Sequence, residues 1–361
     1  VPLLPVKFVD LFSGAGGLGF GFKMAGFSPL AFVEVNRWAY ETYRLNVGGR
    51  GFLADIRSLK PSDILDAVGW ADAVIGGPPC RPFSKANMRR NGKEHPEFSL
   101  PLMFVNYIKV MKPVAAVMEE VPGFARYLRD AVIKQLSRCG YDVTELKLNA
   151  ADYGVPQERR RFFIIALRSG EGICEVEHEI LRRAESRRIT VWEAISDLPR
   201  KALVGEDKAI SYAAPPSTSY QKWARTYSRA SEKLYNHVTS KAKKMLIKMM
   251  YVNQGENLIK AFSRMPENIR AEFKNPNAVH SNIYRRLDPN KPSITITNPR
   301  KTVIIHPYEH RIITVREAAR LQGFPDAFIF KGPLSQMQQM VADAVPPLLA
   351  KAIAEALLKV L

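Results

Sequence analysis

An apolar strand that runs directly into a glycine turn and then into a helix constrains this chain more than any other feature. It is spelled Phe8-Val9-Asp10-Leu11-Phe12-Ser13-Gly14-Ala15-Gly16-Gly17-Leu18-Gly19. Gly14, Gly16 and Gly19 fit the pattern G-x-G-x-x-G, and Glu34 follows about twenty residues later at the end of the next apolar run. Glycines let a ligand approach the backbone, and a carboxylate at that distance can accept both hydroxyls of a ribose. The pattern predicts an adenosine-containing cofactor. It leaves nicotinamide, flavin and methyl-donor enzymes open, with a purely structural glycine turn as the plain alternative.

Further apolar runs recur at Val6 to Phe12, Leu30 to Glu34, Ala73 to Ile75, Ala115 to Met118 and Phe162 to Leu167, with amphipathic stretches between them. They read as parallel strands alternating with helices. Helical spacing covers Phe124 to Cys139, and Gly140 is its expected C-terminal cap. The expected fold is α/β, a Rossmann-like doubly wound sheet with ligands at the strand C-termini.

Beyond about residue 185 the texture shifts to Pro, Ser, Tyr and Lys. Ala213-Ala214-Pro215-Pro216-Ser217 reads as loop and Lys241-Ala242-Lys243-Lys244 as a basic run. The charge is concentrated here. The whole chain of 361 residues carries a formal +18, and residues 201–300 hold 18 basic against 7 acidic side chains. A single lysine run is usually a solvated face, but this regional excess points to a polyanion, with nucleic acid as the first candidate. An anionic membrane surface is the rival, yet no run approaches the ~18 apolar residues of a spanning helix, and no secretory leader is visible.

Three cysteines, Cys80, Cys139 and Cys174, stand far apart and form none of the short pairs of zinc sites or disulfide frameworks. A reducing, intracellular setting is expected. His306 and His310 are four apart, but Pro307 lies between them and no acidic metal motif surrounds them. No metal is expected. Cys139 and Cys174 read as ordinary buried thiols. Cys80 differs, because Gly76-Gly77-Pro78-Pro79-Cys80-Arg81-Pro82-Phe83-Ser84 follows an apolar run directly. Two prolines fix the backbone before the lone cysteine and hold its sulfur at a strand end.

With Pro-Pro-Cys and the Phe-Ser-Gly-x-Gly-Gly turn in place, the chain resembles the S-adenosylmethionine-dependent DNA (cytosine-5) methyltransferase family, collinearly over nearly its whole length. The resemblance implies a methyltransferase sheet over residues 1–185, a smaller basic target-recognition domain over 186–332, and a C-terminal helix over 333–361 returning to the catalytic domain. Phe12, Ser13, Gly14, Gly16, Gly17, Glu34, Val35, Asp55, Ile56, Pro79, Asp343, Ala344 and Val345 would line the methyl-donor site. Glu34 would hold the ribose and Asp55 the adenine amino group. Pro79 and Cys80 would form the catalytic loop.

Met118-Glu119-Glu120-Val121-Pro122-Gly123 resembles the family's Glu-Asn-Val motif, with Glu120 where Asn is usual. Gln157-Glu158-Arg159-Arg160-Arg161 resembles Gln-x-Arg-x-Arg, which assigns Arg159 and Arg161 to the catalytic set with Cys80 and Glu119. Arg311 to Phe324 matches the segment that organises the recognition domain. Ala342-Asp343-Ala344-Val345-Pro346-Pro347 resembles Gly-Asn-Ala-Val-Pro-Pro, with Asp343 replacing Asn. The resemblance places Arg81, Ser84, Arg285, Thr295 and Thr297 against DNA.

The implied chemistry is methyl transfer to C5 of cytosine in double-stranded DNA. Cytosine is electron-poor at C6, so C5 becomes nucleophilic only after a nucleophile adds there, and thiolate does this best. A carboxyl at Glu119 would stabilise charge arriving at N3. Since C5 and C6 are stacked in the duplex, the base must swing out. The expected setting is cytoplasmic, nucleoid-associated if the cell is prokaryotic, with a monomer acting apart from any cognate restriction endonuclease. Four rivals remain. A tRNA cytosine-5 methyltransferase would carry a Cys-Phe-Thr segment, which is absent. A catalytically dead DNA-binding relative would not need Cys80, Glu119 and Arg161. A nicotinamide oxidoreductase leaves Pro-Pro-Cys unexplained, and an exocyclic-amino methyltransferase would carry Pro-Pro-aromatic.

Overall fold

The structure is a computed structural model that describes residues 5–79, 83, 95–168, 172–226, 233–240, 249–270, 284–298 and 302–361. Cys80, Arg81, Ser84 and the run Lys241, Lys243 and Lys244 lie outside the described residues. The chain divides into two compact units. The first joins Val1–Tyr153, Arg160–Ser186 and Ala344–Leu361, and the second joins Gly154–Arg159 and Arg187–Asp343. The expected boundary at 333 therefore falls one helix early, since Leu334–Asp343 is counted with the second unit.

A seven-stranded sheet forms the first unit. Its strands are β1 (Lys7–Leu11), β2 (Ser28–Glu34), β3 (Arg50–Leu53), β4 (Ala73–Gly76), β5 (Ala115–Glu120), β6 (Tyr141–Asn149) and β7 (Arg160–Arg168), in the order β3-β2-β1-β4-β5-β7-β6. Neighbours are parallel from β3 to β5, while β7 is antiparallel to both β5 and β6. The expectation of a parallel strand over Phe162–Leu167 is thus corrected. The chain passes β5, crosses to the edge as β6, and returns between them as β7, so its direction reverses. Strand order turns back between β1 and β4, the switch point where open α/β sheets bind ligands.

Two elements depart from the periodicity reading. The helix expected from Phe124 starts as a 3₁₀ turn, Pro122–Arg126, and becomes an α-helix only over Arg129–Arg138, with Gly140 at φ +84° beyond its end. Strand β6 escaped notice because its alternation carries Asp142, Glu145 and Lys147 on a half-exposed edge.

Close packing explains the glycines of the first helix, α1 (Gly17–Ala25). A Cβ at Gly17 would collide with the Val345 carbonyl, and one at Gly21 would strike Ala350 and the Pro347 carbonyl. The C-terminal helix Pro347–Leu357 therefore rests on glycine backbone four residues apart. On this side of the sheet Phe8, Phe22 and Phe27 meet ring to ring, with Phe22 and Phe27 centroids 4.9 Å apart. The opposite side packs Val9, Leu11, Val74, Ala116, Met118, Phe162 and Ile164 against Phe104, Phe124 and Phe83. Each buried aromatic contributes roughly 1.5–3 kcal/mol relative to exposure.

Among the described residues the strands of the second unit are two residues long, and the unit relies on buried arginines. Arg320 is fully buried, and its guanidinium reaches Asp197 and Asp326, each at 2.6 Å. Arg316, one turn earlier on the helix Val315–Leu321, donates to the carbonyls of Tyr235, Pro325 and Phe328. Thr314 and Glu317 cap that helix reciprocally.

Candidate active site

Leu11 ends β1, and the chain turns sharply: Phe12 has φ +55° and Gly16 caps α1 at φ +100°. Ser13 ties the turn to β2 through N–H and Oγ bonds to the Val33 carbonyl at 3.1 and 3.2 Å. Glu34, buried at the end of β2, accepts from Gly14 N on Oε2 and from Asn36 N on Oε1, both at 2.7 Å. Two backbone amides thereby fix the carboxylate beside the turn. A Cβ at Gly14 would meet nothing within 4 Å. Val35, the next residue, is 67% exposed although apolar. An open glycine backbone, an anchored carboxylate and a bare aliphatic surface suit the phosphate-free adenosine of a methyl donor.

The other residues assigned to that donor are placed less uniformly. Asp55 is partly exposed and chelates its neighbour Arg57, whose guanidinium holds the carboxyl below the usual carboxylate range. Ile56 is buried in the core, and Pro79 is half-buried. Gly17, Ala344 and Val345 meet in the α1 contact already described. Asp343 is exposed and accepts from Gln339 Nε2 at 2.8 and 2.9 Å.

At the far ends of β4 and β5 stand the candidate reacting groups. Glu119 ends β5 beside Gly77, where a Cβ would lie 3.2 Å from Glu119 Oε2. Arg161, near the start of the antiparallel β7, puts Nε 2.8 Å from Glu119 Oε1, and the two side chains are 13% and 11% exposed. Register accounts for the meeting. Glu119 pairs with Phe163, so Arg161 is its diagonal neighbour on the same face. Phe83 is fixed against Phe98, Phe124 and Tyr127, with centroids 5.4 to 5.9 Å away.

Arg159 differs from Arg161. It is 1% exposed and donates to the carbonyls of Ile296 and Ala342 at 3.1 and 2.7 Å, bonds that make it a brace within the second unit. Thr295 Oγ1 donates to the Glu158 carbonyl at 2.6 Å, and Thr297 bonds Thr302 at 3.0 Å, so both hydroxyls are engaged internally. Arg285 is half-buried in a short strand. Residue-by-residue reading gave no role to Arg286. Its guanidinium donates to the carbonyls of Val252, Met249, His306 and Glu309 and bonds His310 Nδ1. His306 Nδ1 meanwhile accepts from Tyr308 and Glu309 N–H. The two histidines are thus occupied in separate bonds.

The family profile described as C-5 cytosine-specific DNA methylase matches residues 6–359. The chain is 34% identical to the type II methyltransferase M.DdeI of Desulfomicrobium norvegicum, covering 97% of this chain and 88% of that protein. It is 35% identical to M1.HphI of Haemophilus parahaemolyticus, covering 99% and 87%. Among solved structures, an E. coli prophage-encoded protein described as a DNA modification methyltransferase superposes with a TM-score of 0.74 at 23% identity, covering 98% of this chain and 99% of that one. That likeness is one of fold. A profile that spans both the glycine turn and the C-terminal helix, with two relatives above 30% identity, places this chain in the C-5 cytosine-specific DNA methylase family.

Proposed function

We propose that this DNA (cytosine-5-)-methyltransferase acts on a cytosine swung out of a specific DNA sequence, through a covalent bond from Cys80 to C6. The observation that carries the reading is the buried Glu119–Arg161 pair at the strand ends, with Glu119 on the strand next to β4 and beside Gly77, which precedes Pro78-Pro79. Glu34, Val35 and the Phe12–Gly16 turn would hold S-adenosylmethionine, which supplies an electrophilic methyl group.

In this reading Cys80 adds as thiolate to C6, and the ring's electrons move toward N3 and O2. Glu119 in its acid form donates to N3, while Arg161 holds the Glu119 carboxyl in place and meets O2. Neutralising charge there is worth about 10² to 10⁴ in rate. Once C5 has been alkylated, a base removes its proton, the C5–C6 double bond reforms as Cys80 leaves as thiolate, and the N3 proton returns to the Glu119 carboxylate. The basic residues of about 190–330 would carry the DNA, with Arg81, Ser84, Arg285, Thr295 and Thr297 as contacts and phosphate attraction supplying most of the affinity. The working form would be a monomer, independent of any partner endonuclease.

The test is trapping on duplex containing 5-fluorocytosine, whose C5 cannot release a proton. Wild type should form a complex that survives denaturation, and Cys80→Ser should bind DNA without forming one. A wild-type complex that dissociates on denaturation overturns the covalent mechanism. Bisulfite sequencing of DNA from expressing cells reads the target sequence.

A further inference from the structure

Glu119 and Glu120 are adjacent on β5 and point to opposite faces of the sheet. Ala116 and Met118 belong to the apolar cluster that includes Phe83, Phe104, Phe124 and Phe162. Glu120 is next in that alternation and pairs directly with Phe162. Its side chain is 0% exposed. Oε2 accepts from Val121 N at 3.1 Å, and Oε1 is buried with no hydrogen-bond partner. The guanidinium of Arg161 is engaged on the other face with Glu119.

We propose that Glu120 keeps its proton in the working enzyme and serves as a neutral positioning residue, fixing the turn that follows β5. The reason is the cost of charge on an apolar face. An ionised carboxyl there would be solvated by one amide and one distant cation, and such a group neutralises instead. Burial pushes the Glu120 carboxyl well above its usual range. The charge of Glu119 pushes the same way, against smaller lowering by the Val121 amide and Arg161. Among the described residues Glu119, on its own strand, and Arg161, on β7, are the charged groups acting on it.

The turn held by the Val121 amide leads to Gly123, where a Cβ would collide with the Phe83 carbonyl. Glu120 therefore acts at one remove. Its neutral carboxyl keeps Val121–Gly123 against Phe83 and leaves Glu119 as the one carboxyl of the two that faces Arg161. Rising pH ionises Glu120, places an unpaired charge on the core face and loosens that turn. A folded-state value above the unfolded one gives stability that is full at low pH and declines as pH rises toward the folded value. The decline therefore starts in the ordinary carboxylate range and is complete once pH passes the raised folded value.

The proposal rests on the methyl-transfer reading for its kinetic arm only. Difference infrared spectra of wild type minus Glu120→Gln, at neutral pH without substrate, should show the carbonyl band of a protonated carboxyl. Glu120→Gln, the neutral isostere, should keep single-turnover methylation within about threefold of wild type and should lose part of wild type's decline in rate and melting temperature as pH rises. A difference spectrum with carboxylate bands alone overturns the proposal, as do superimposable pH profiles or a greater than about tenfold loss in a Glu120→Gln protein that melts normally. Failure of 5-fluorocytosine trapping would remove the covalent reading and leave the infrared result standing.

Discussion

Arg161 Nε lies 2.8 Å from Glu119 Oε1 where β5 meets its antiparallel neighbour, with both side chains close to fully buried. Such a pair is worth most when intact, because removing one partner leaves a buried charge unpaired, at a cost of about 3–5 kcal/mol. Arg161→Ala should therefore lower the melting temperature as well as the rate. Glu119→Gln removes the acid but keeps the shape and an amide oxygen that can accept from Arg161 Nε, so it should cut single-turnover methylation by roughly 10² or more with a smaller loss in melting temperature than Arg161→Ala. Rates at saturating DNA, measured beside melting curves, separate the two. A Glu119→Gln rate near wild type would remove the acid assignment.

The glycines of the turn should divide into two classes. Gly21→Ala places a methyl against the backbone of the C-terminal helix, an overpacking cost of about 1–3 kcal/mol, seen as lower thermal stability. Gly14→Ala meets open space and pays only the left-handed backbone strain of about 1–2 kcal/mol. Its larger effect should be on methyl-donor affinity, at least tenfold or about 1.4 kcal/mol by calorimetry. Unchanged donor binding in Gly14→Ala would place the ligand elsewhere.

Acid should weaken the second unit through His306. Burial and the positive Arg311, Arg286 and His237 lower its value from 6.5 to about 4, with Glu317 opposing. A depressed folded value means that the neutral ring's stability is full above 6.5 and is lost as pH falls from there toward 4. The span corresponds to roughly 3 kcal/mol. The melting temperature of His306→Gln should fall less steeply than that of wild type between about pH 7 and pH 5. Equal slopes would assign the acid sensitivity to another group.

Asp343 accepts from Gln339 with both oxygens, a bond that an asparagine Oδ1 can also take. Asp343→Asn should preserve or tighten methyl-donor binding. A loss beyond about tenfold, or 1.4 kcal/mol, would show a site rebuilt around the acid.

The sequence announces what is local and conceals what depends on partners. Phe12 to Gly19, Pro78-Pro79 and Glu34 were legible because turn, rigidity and spacing are written in consecutive residues. The direction of β7 was not, since periodicity is the same read either way. Arg159 and Arg161 look alike in Arg159-Arg160-Arg161, yet one braces carbonyls and the other faces a carboxylate. The bracing bonds of Arg286 were not legible because its acceptors are backbone carbonyls from four separate residues, which no side-chain pattern encodes. Glu119 and Glu120 were told apart by the resemblance to Glu-Asn-Val, and the alternation of the strand end sends them to opposite faces.

The seat of α1 is backbone of Val345, Pro347 and Lys351 together with the Ala350 methyl, more than three hundred residues downstream. On a ribosome the glycine turn is therefore made early and stays without its support until the helix Pro347–Leu357 leaves the exit tunnel. Contacts so distant in sequence close late. A nascent chain should therefore gain its full affinity for the methyl donor only after residues 345–351 have emerged and packed on α1.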